Sequence, residues 1–262
     1  MSHPPVLVDS HAHLDDPKLA ADEAGVLDRA RAAGVACVLS VGADVASSRA
    51  AVALAARHEM VYASVGVHPH EASTVTDDTW RELERLARQP KVVAVGECGL
   101  DYFRDLSPRD VQRRVFAHHL ALAQSARLPV VVHCRDAYDD CLAILAAECP
   151  LPVRGVLHCF QGTADVARRA LDLGLHLGIG GSLTFPREEA LRRVVATLPL
   201  DRLLVETDAP YLTPRPRRGT NEPAYVRLTA ECLAGLLGVS LDRVAETNTA
   251  NARALFRLPP DP

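Results

Sequence analysis

Short runs that are apolar throughout alternate along the chain with longer segments whose apolar residues recur at i, i+3 and i+4. The short runs are Pro5–Asp9 (PVLVD), Val35–Val41 (VACVLSV), Val61–Val67 (VYASVGV), Val92–Gly96 (VVAVG), Pro129–His133 (PVVVH), Gly155–His158 (GVLH), Leu175–Gly180 (LHLGIG) and Leu203–Glu206 (LLVE). Between them lie Asp16–Ala33, Val45–His58, Asp77–Arg88, Pro108–Arg127, Ala137–Glu148, Ala164–Leu173 and Arg187–Leu198, with the helical spacing plain in Leu83, Leu86 and Ala87. Runs without polar alternation suit parallel strands covered on both faces. Eight of them interleaved with helices predict an α/β fold, the TIM (β/α)8 barrel, with extra C-terminal helices between Glu222 and Phe256. The short sixth and seventh runs leave a doubly wound open sheet as the alternative. That reading lacks support, because GxGxxG and GxxxxGK[ST] phosphate loops are both missing. No repeat, low-complexity tract or linker divides the chain, so one domain over 1–262 is expected, with Pro210–Arg218 its only long irregular segment.

Composition narrows the class. Of 262 residues, 48 % are apolar, 24 % charged and 4 % aromatic, and no apolar run reaches the length of a membrane span. The net charge of −4 argues against broad nonspecific duplex binding, which needs a strongly basic face. A narrow nucleic-acid site with metal-neutralised phosphates remains compatible. The seven cysteines are odd in number and contain no CxxC, and MSHPPVLVDS is not a secretory leader. Reduced thiols in a soluble, cytoplasmic protein are expected, without a disulfide frame or zinc ribbon.

The chemistry lies in where the polar residues fall. His11 and His13 follow the first strand, Glu97 the fourth and Asp208 the eighth, while His133 and His158 end the fifth and sixth. In a barrel, the C-terminal strand ends gather residues distant in sequence. Taken singly, each has an ordinary reading: chance alternation for HxH, an N-cap for Glu97, a turn cap before Pro210 for Asp208. Together they form a nitrogen and oxygen donor set suited to zinc, manganese or cobalt, and its carboxylates admit magnesium. Six ligands exceed what one tetrahedral ion takes, so two divalent ions are expected. His11, His13 and Asp208 would hold one, His133 and His158 the other, with Glu97 placed as a bridge. Such a pair activates water for hydrolysis of an ester, phosphoester or amide.

The chain resembles the TatD family of metal-dependent hydrolases over essentially its whole length. The resemblance rests on DSHAHLD (Asp9–Asp15), GVHPH (Gly66–His70), GECGLDY (Gly96–Tyr102), HCRDA (His133–Ala137), HCFQG (His158–Gly162), the GxxTF stretch Gly181–Phe185, LLVETDAPYL (Leu203–Leu212) and RGTNEP (Arg218–Pro223). Cys98 within GECGLD and Thr220 after Arg218-Gly219 are small variations, and neither falls on a ligand. The resemblance implies a magnesium-dependent deoxyribonuclease, often a 3′–5′ exonuclease, with DNA or another nucleic acid as substrate; manganese is the other ion expected to support activity. It also implies His11, His13, Glu97, His133, His158 and Asp208 as metal ligands. Asp208 would further accept the proton of the attacking water, with Glu97 beside it in catalysis. His68 would be the family's additional site histidine.

Around these stand weaker candidates. Arg135 is placed to hold a phosphate oxygen, or else pairs with Asp136. Glu206 would orient a ligand histidine, or pair with a nearby arginine. Arg215, Arg217 and Arg218 occupy the loop after strand eight, where barrels often bind phosphate. Tyr102 and Phe103 offer base stacking, with core packing the better reading for Phe103. His3, His58, His118, His119 and His176 carry ordinary structural readings, and His70 borders the site. Cys98, Cys134 and Cys159 each follow a ligand and are expected to pack. No membrane partner is expected, and the chain reads as a monomer or weak oligomer. Three rivals remain. One is a hydrolase of another ester or amide, such as an aminoacyl-tRNA editing deacylase. Another is a barrel of the PHP phosphoesterase type, which eight strands and ETDAP fit less well. The third is a silent scaffold, which would have lost a ligand.

Overall fold

The computed structural model describes residues 6–150 and 153–259. Pro5, expected to open the first strand, and His3, assigned to the tail, lie outside the described residues. Eight strands follow in chain order: β1 (Leu7–Ala12), β2 (Val35–Val41), β3 (Val61–Val65), β4 (Val92–Asp101), β5 (Val130–Arg135), β6 (Gly155–Leu157), β7 (His176–Ile179) and β8 (Leu203–Val205). The helices are α1 (Pro17–Ala20), α2 (Glu23–Ala32), α3 (Val45–Arg57), α4 (Asp77–Leu86), α5 (Arg109–Ala126), α6 (Tyr138–Glu148), α7 (Ala164–Asp172), α8 (Glu189–Val195), α9 (Val226–Leu237) and α10 (Leu241–Phe256). The strands pair in sequence order in one eight-stranded sheet, the (β/α)8 barrel that the alternation predicts. Every residue of β1, β4, β6 and β8 is buried, which explains why their sequences lack polar alternation.

Two compact units make up the chain. The first spans Ser40–His158 and Asp165–His176 and contains β3 to β6. Its parallel ladder sets Val65 opposite Val95, Gly99 opposite His133 and Val132 opposite Leu157. Glycine permits this closeness. A Cβ on Gly66 would lie 2.7 Å from the Gly96 Cα, and one on Gly99 (φ +138°) would lie 2.0 Å from the His133 carbonyl oxygen. Helix α3 opens with a capping box, in which the Asp44 carboxylate accepts the Ser47 N–H at 2.7 Å and Ser47 Oγ accepts the Asp44 N–H at 2.8 Å. Helix α5 buries Phe116 and Leu120 completely. It also buries His119, whose Nδ1–H donates to the Val115 carbonyl at 2.8 Å while Nε2 accepts the Val67 N–H at 3.0 Å. The ordinary reading of His119 thus becomes specific: it pins the chain just past β3.

The second unit spans residues up to Leu39, Cys159–Ala164 and from Leu177 onward, and holds β1 and β8. Beyond β8 the chain returns to β1. The Asp208 N–H donates to the His11 carbonyl at 2.9 Å, and the His13 N–H to the Ala209 carbonyl at 2.7 Å. Helix α10 is tied beneath by Asn251, which donates to the carbonyls of Leu200 (3.0 Å) and Leu203 (2.8 Å), and by Thr249, which donates to Val6 (2.8 Å). Among the described residues no single helix is long and apolar enough to cross a membrane.

The structure corrects several expected boundaries. β1 and β4 run past Asp9 and Gly96 and take in His11, Glu97 and Asp101. Polar residues there stay extended and buried because their side chains meet one another, which hydropathy cannot register. The continuous helix expected over Asp16–Ala33 breaks into α1 and α2, since Asp22 leaves helical backbone (φ −137°) and its carboxylate takes Arg29 at 2.9 Å. The C-terminal helical segment divides at Gly238, whose φ of +67° ends α9.

Candidate metal centre

In the unit containing β3 to β6, the β4–β5 ladder brings a carboxylate and several imidazoles together. Glu97, in the middle of β4, is 2 % exposed. Its Oε1 lies 3.0 Å from His133 Nδ1 on β5, 2.9 Å from Nε2 of His158 just past β6, and 3.6 Å from Nε2 of His68 past β3. Being within the strand, Glu97 is not an N-cap. Burial lowers His68 to a pKa of about 3, so its imidazole is neutral and able to act as a ligand. Behind this group sits a carboxylate that motif reading passed over. Asp101 Oδ2, four residues on from Glu97, lies 3.0 Å from His133 Nε2 and 2.9 Å from His70 Nε2. Asp101 Oδ1 accepts the N–H groups of Phe103 (3.0 Å) and Arg104 (2.7 Å). Burial opposes the Asp101 anion, yet its hydrogen bonds from His133, Arg104 and His70 hold its carboxyl below the usual range. His133 is raised: burial works against its cation, but the bonds to Asp101 and Glu97 outweigh it.

In the other unit, His11 from β1 and His13 just past it meet Asp208 past β8. The two Nε2 atoms are 3.4 Å apart, and Asp208 Oδ1 lies 3.8 Å from that of His11 and 3.5 Å from that of His13. Asp9 secures this junction: its carboxylate accepts the Thr207 N–H at 2.9 Å and the Thr207 hydroxyl at 2.6 Å. Burial pushes Asp9 up to about 8 despite those bonds.

The donors fit divalent ions. Ligand atoms about 2.1 Å from one tetrahedral ion lie roughly 3.4 Å apart, close to the His11, His13 and Asp208 spacing. His68, Glu97 and His133 likewise offer three ligand atoms all within 4.8 Å of one another. Imidazole nitrogen with carboxylate oxygen is the set that manganese, zinc and cobalt take, and magnesium through the carboxylates.

Other sequence candidates land elsewhere. Glu206 is fully buried and accepts the backbone N–H of Cys159, so it braces the backbone at Cys159. Tyr102 is half-buried, donates its hydroxyl to Asp140 at 2.7 Å, and has the Arg109 guanidinium 4.4 Å over its ring. Arg135 does not pair with Asp136; its guanidinium carbon lies 3.8 Å from the centroid of Phe103. Phe103, expected to pack in the core, is 56 % exposed. Arg218 is exposed on the loop after β8, as are Arg215 and Arg217, the last over Tyr225 at 5.1 Å. His118 is exposed and stacked on Trp80 at 3.8 Å.

A barrel whose strand ends carry clustered histidines and carboxylates has the architecture of a metal-dependent hydrolase. The family model described as "TatD related DNase" matches residues 8–257, and the chain belongs to this TatD family of metal-dependent hydrolases. Among its relatives, the "Uncharacterized metal-dependent hydrolase YabD" of Bacillus subtilis is 40 % identical over 254 residues, covering 97 % of this chain and 100 % of that protein. The "3'-5' ssDNA/RNA exonuclease TatD" of Erwinia billingiae is also 40 % identical, over 260 residues, with 97 % and 100 % covered. Among solved structures, the TatD homolog YJJV from Escherichia coli superimposes with a TM-score of 0.92 at 34 % identity, covering 97 % of this chain and 98 % of that one.

Proposed function

We propose that this protein hydrolyses phosphodiester bonds of DNA or another nucleic acid, releasing nucleotides from the 3′ end, with two divalent ions, magnesium or manganese. The observation that carries the reading is the pair of histidine–carboxylate clusters, one in each unit. His11, His13 and Asp208 would hold one ion, and Glu97, His133 and His158 the other, with His68 beside Glu97 as an extra ligand or a substrate contact. When bound, the ions supply positive charge for the phosphate and make a water more acidic. Asp208, mostly buried at its cluster, would accept the proton of that water. Asp101 would hold the His133 ring through Nε2. Arg135 and Arg218, both exposed, are suited to phosphate oxygens, whereas Tyr102 would act through its bond to Asp140. The exonuclease name of the Erwinia billingiae relative supports the substrate class. None of the seven cysteines forms a disulfide, which supports a reducing, cytoplasmic setting. We take the chain as one domain that works as a monomer or weak oligomer.

The test is release of label from 3′-labelled single- and double-stranded oligonucleotides. Excess EDTA should abolish release and added Mg²⁺ or Mn²⁺ restore it, and Glu97→Ala should lose nearly all turnover in either metal. Full activity in EDTA overturns the metal mechanism. Robust cleavage of aminoacyl-tRNA with no nucleotide release overturns the nuclease reading in favour of an editing deacylase.

A further inference from the structure

Phe103 and Leu106 are 56 % and 63 % exposed, on the loop that follows β4. Leaving large apolar groups in water forgoes burial that most such residues in this chain obtain, so the position calls for a reason. Phe103 does not stand alone. The Arg135 guanidinium carbon lies over its ring, 3.8 Å from the centroid. The strand ladder fixes this pair: Asp101 is in register with Arg135, the Tyr102 N–H donates to the Arg135 carbonyl at 2.9 Å, and the Phe103 N–H donates to Asp101 at 3.0 Å. Of the arginines on helix α5, Arg109 is occupied by Asp105 at 3.1 Å and Arg113 by Asp140. Among the described residues, the Arg135 guanidinium has no carboxylate partner.

An exposed aromatic ring carrying over one face a planar cation that has no carboxylate partner matches a nucleotide, which presents a flat base and an anionic phosphate. Arg135 lies two residues along β5 from His133, about 7 Å at the rise of a strand. That is the reach of one nucleotide from a phosphate held at the Glu97 and His133 cluster. Resting on the nuclease reading above, we propose that Phe103 and Arg135 form a subsite for one unpaired nucleotide of a single strand. Phe103 stacks the base and Arg135 pairs with its phosphate. Bases inside a duplex have both faces covered by neighbours and offer nothing to Phe103, so the subsite selects single strands.

The test is a fluorescence titration with a single-stranded phosphorothioate oligonucleotide that resists cleavage and carries 2-aminopurine, added to the magnesium-loaded protein. Stacking on Phe103 quenches the probe. Phe103→Ala should weaken binding about 5- to 100-fold, the range spanned by base–aromatic stacking, and abolish the quench. Phe103→Trp should restore both, which separates stacking from any general disturbance of the loop. Arg135→Ala should weaken binding and make it less salt-dependent, by about 0.7 in the logarithmic slope for one lost phosphate contact. Duplex binding should be insensitive to Phe103→Ala. Wild-type affinity and quench in Phe103→Ala overturn the subsite. A wild-type protein that binds and quenches the probe yet releases no nucleotide from any substrate overturns the nuclease reading and leaves the subsite standing. Absence of any oligonucleotide binding overturns both.

Discussion

One carboxylate oxygen, Asp101 Oδ2, faces Nε2 of both His70 and His133. An imidazole that donates Nε2–H to a carboxylate keeps the Nδ1 lone pair for a cation, and the His133 Nδ1 does point to the Glu97 side. The arrangement is that of a metal ligand oriented from behind. Asp101→Asn keeps the shape and one acceptor but removes the charge and gives its second position an N–H that repels the ring donors. Metal affinity should fall about 10- to 100-fold, read by competition with a chelating dye. Unchanged affinity would mean that the packing of the rings alone sets their orientation. The orienting role of Asp101 and His70 is not legible in the sequence. Each sits in a motif beside a named ligand. Their meeting depends on how β3, β4 and β5 align, and pattern along a single chain carries no register.

At the level of elements, the apolar runs located all eight strands, because a strand covered on both faces has no polar alternation to blur it. Their ends were less legible. Hydropathy stops at Gly96, while β4 continues to Asp101 through residues that are buried by one another. The break between α1 and α2 was hidden for the opposite reason: its alanines and acids all permit helix, and only the Asp22 backbone departs. Phe103 is exposed although an aromatic next to a strand usually packs inward, and local pattern does not distinguish the two cases. Glycines in the motifs proved to be geometric requirements, and this is testable. In Gly99→Ala the new Cβ would meet the His133 carbonyl oxygen at a backbone φ of +138°. Strand β5 must move, so a loss of at least about 2 kcal/mol is expected together with weaker metal binding. Gly238→Ala, also at positive φ but with open space around it, should cost about 1 kcal/mol and leave metal binding intact. Urea unfolding and dye competition on the two variants separate strain from site geometry. Equal metal affinities would refute the claim that Gly99 sets the position of His133.

Stability of the whole molecule against acid follows from groups that the fold holds in one protonation state. His119 is fully buried, and burial lowers it to about 4, below the ordinary histidine value of 6.5. The unfolded chain therefore binds a proton that the folded chain refuses. Its contribution is fully present above pH 6.5 and is lost as pH falls from there toward 4, amounting to about 3 kcal/mol by pH 4. Glu82 acts in a lower window. Hydrogen bonds from Arg85 and Arg49 hold it at about 2, so its pairing between α3 and α4 weakens only as pH drops below the ordinary 4.5. Both shifts have the same sign and make the protein less stable in acid, but they titrate apart. His119→Gln can still accept the Val67 N–H while having no proton to gain. It should be less stable than wild type at pH 7.5, with the gap closing by about 3 kcal/mol on going to pH 4. Comparing urea midpoints of the two proteins in EDTA removes competition between protons and metal, and the difference cancels the histidines they share. Parallel stability curves across that window would show that His119 is protonated in the fold, contrary to its burial and to the hydrogen bond it accepts from Val67.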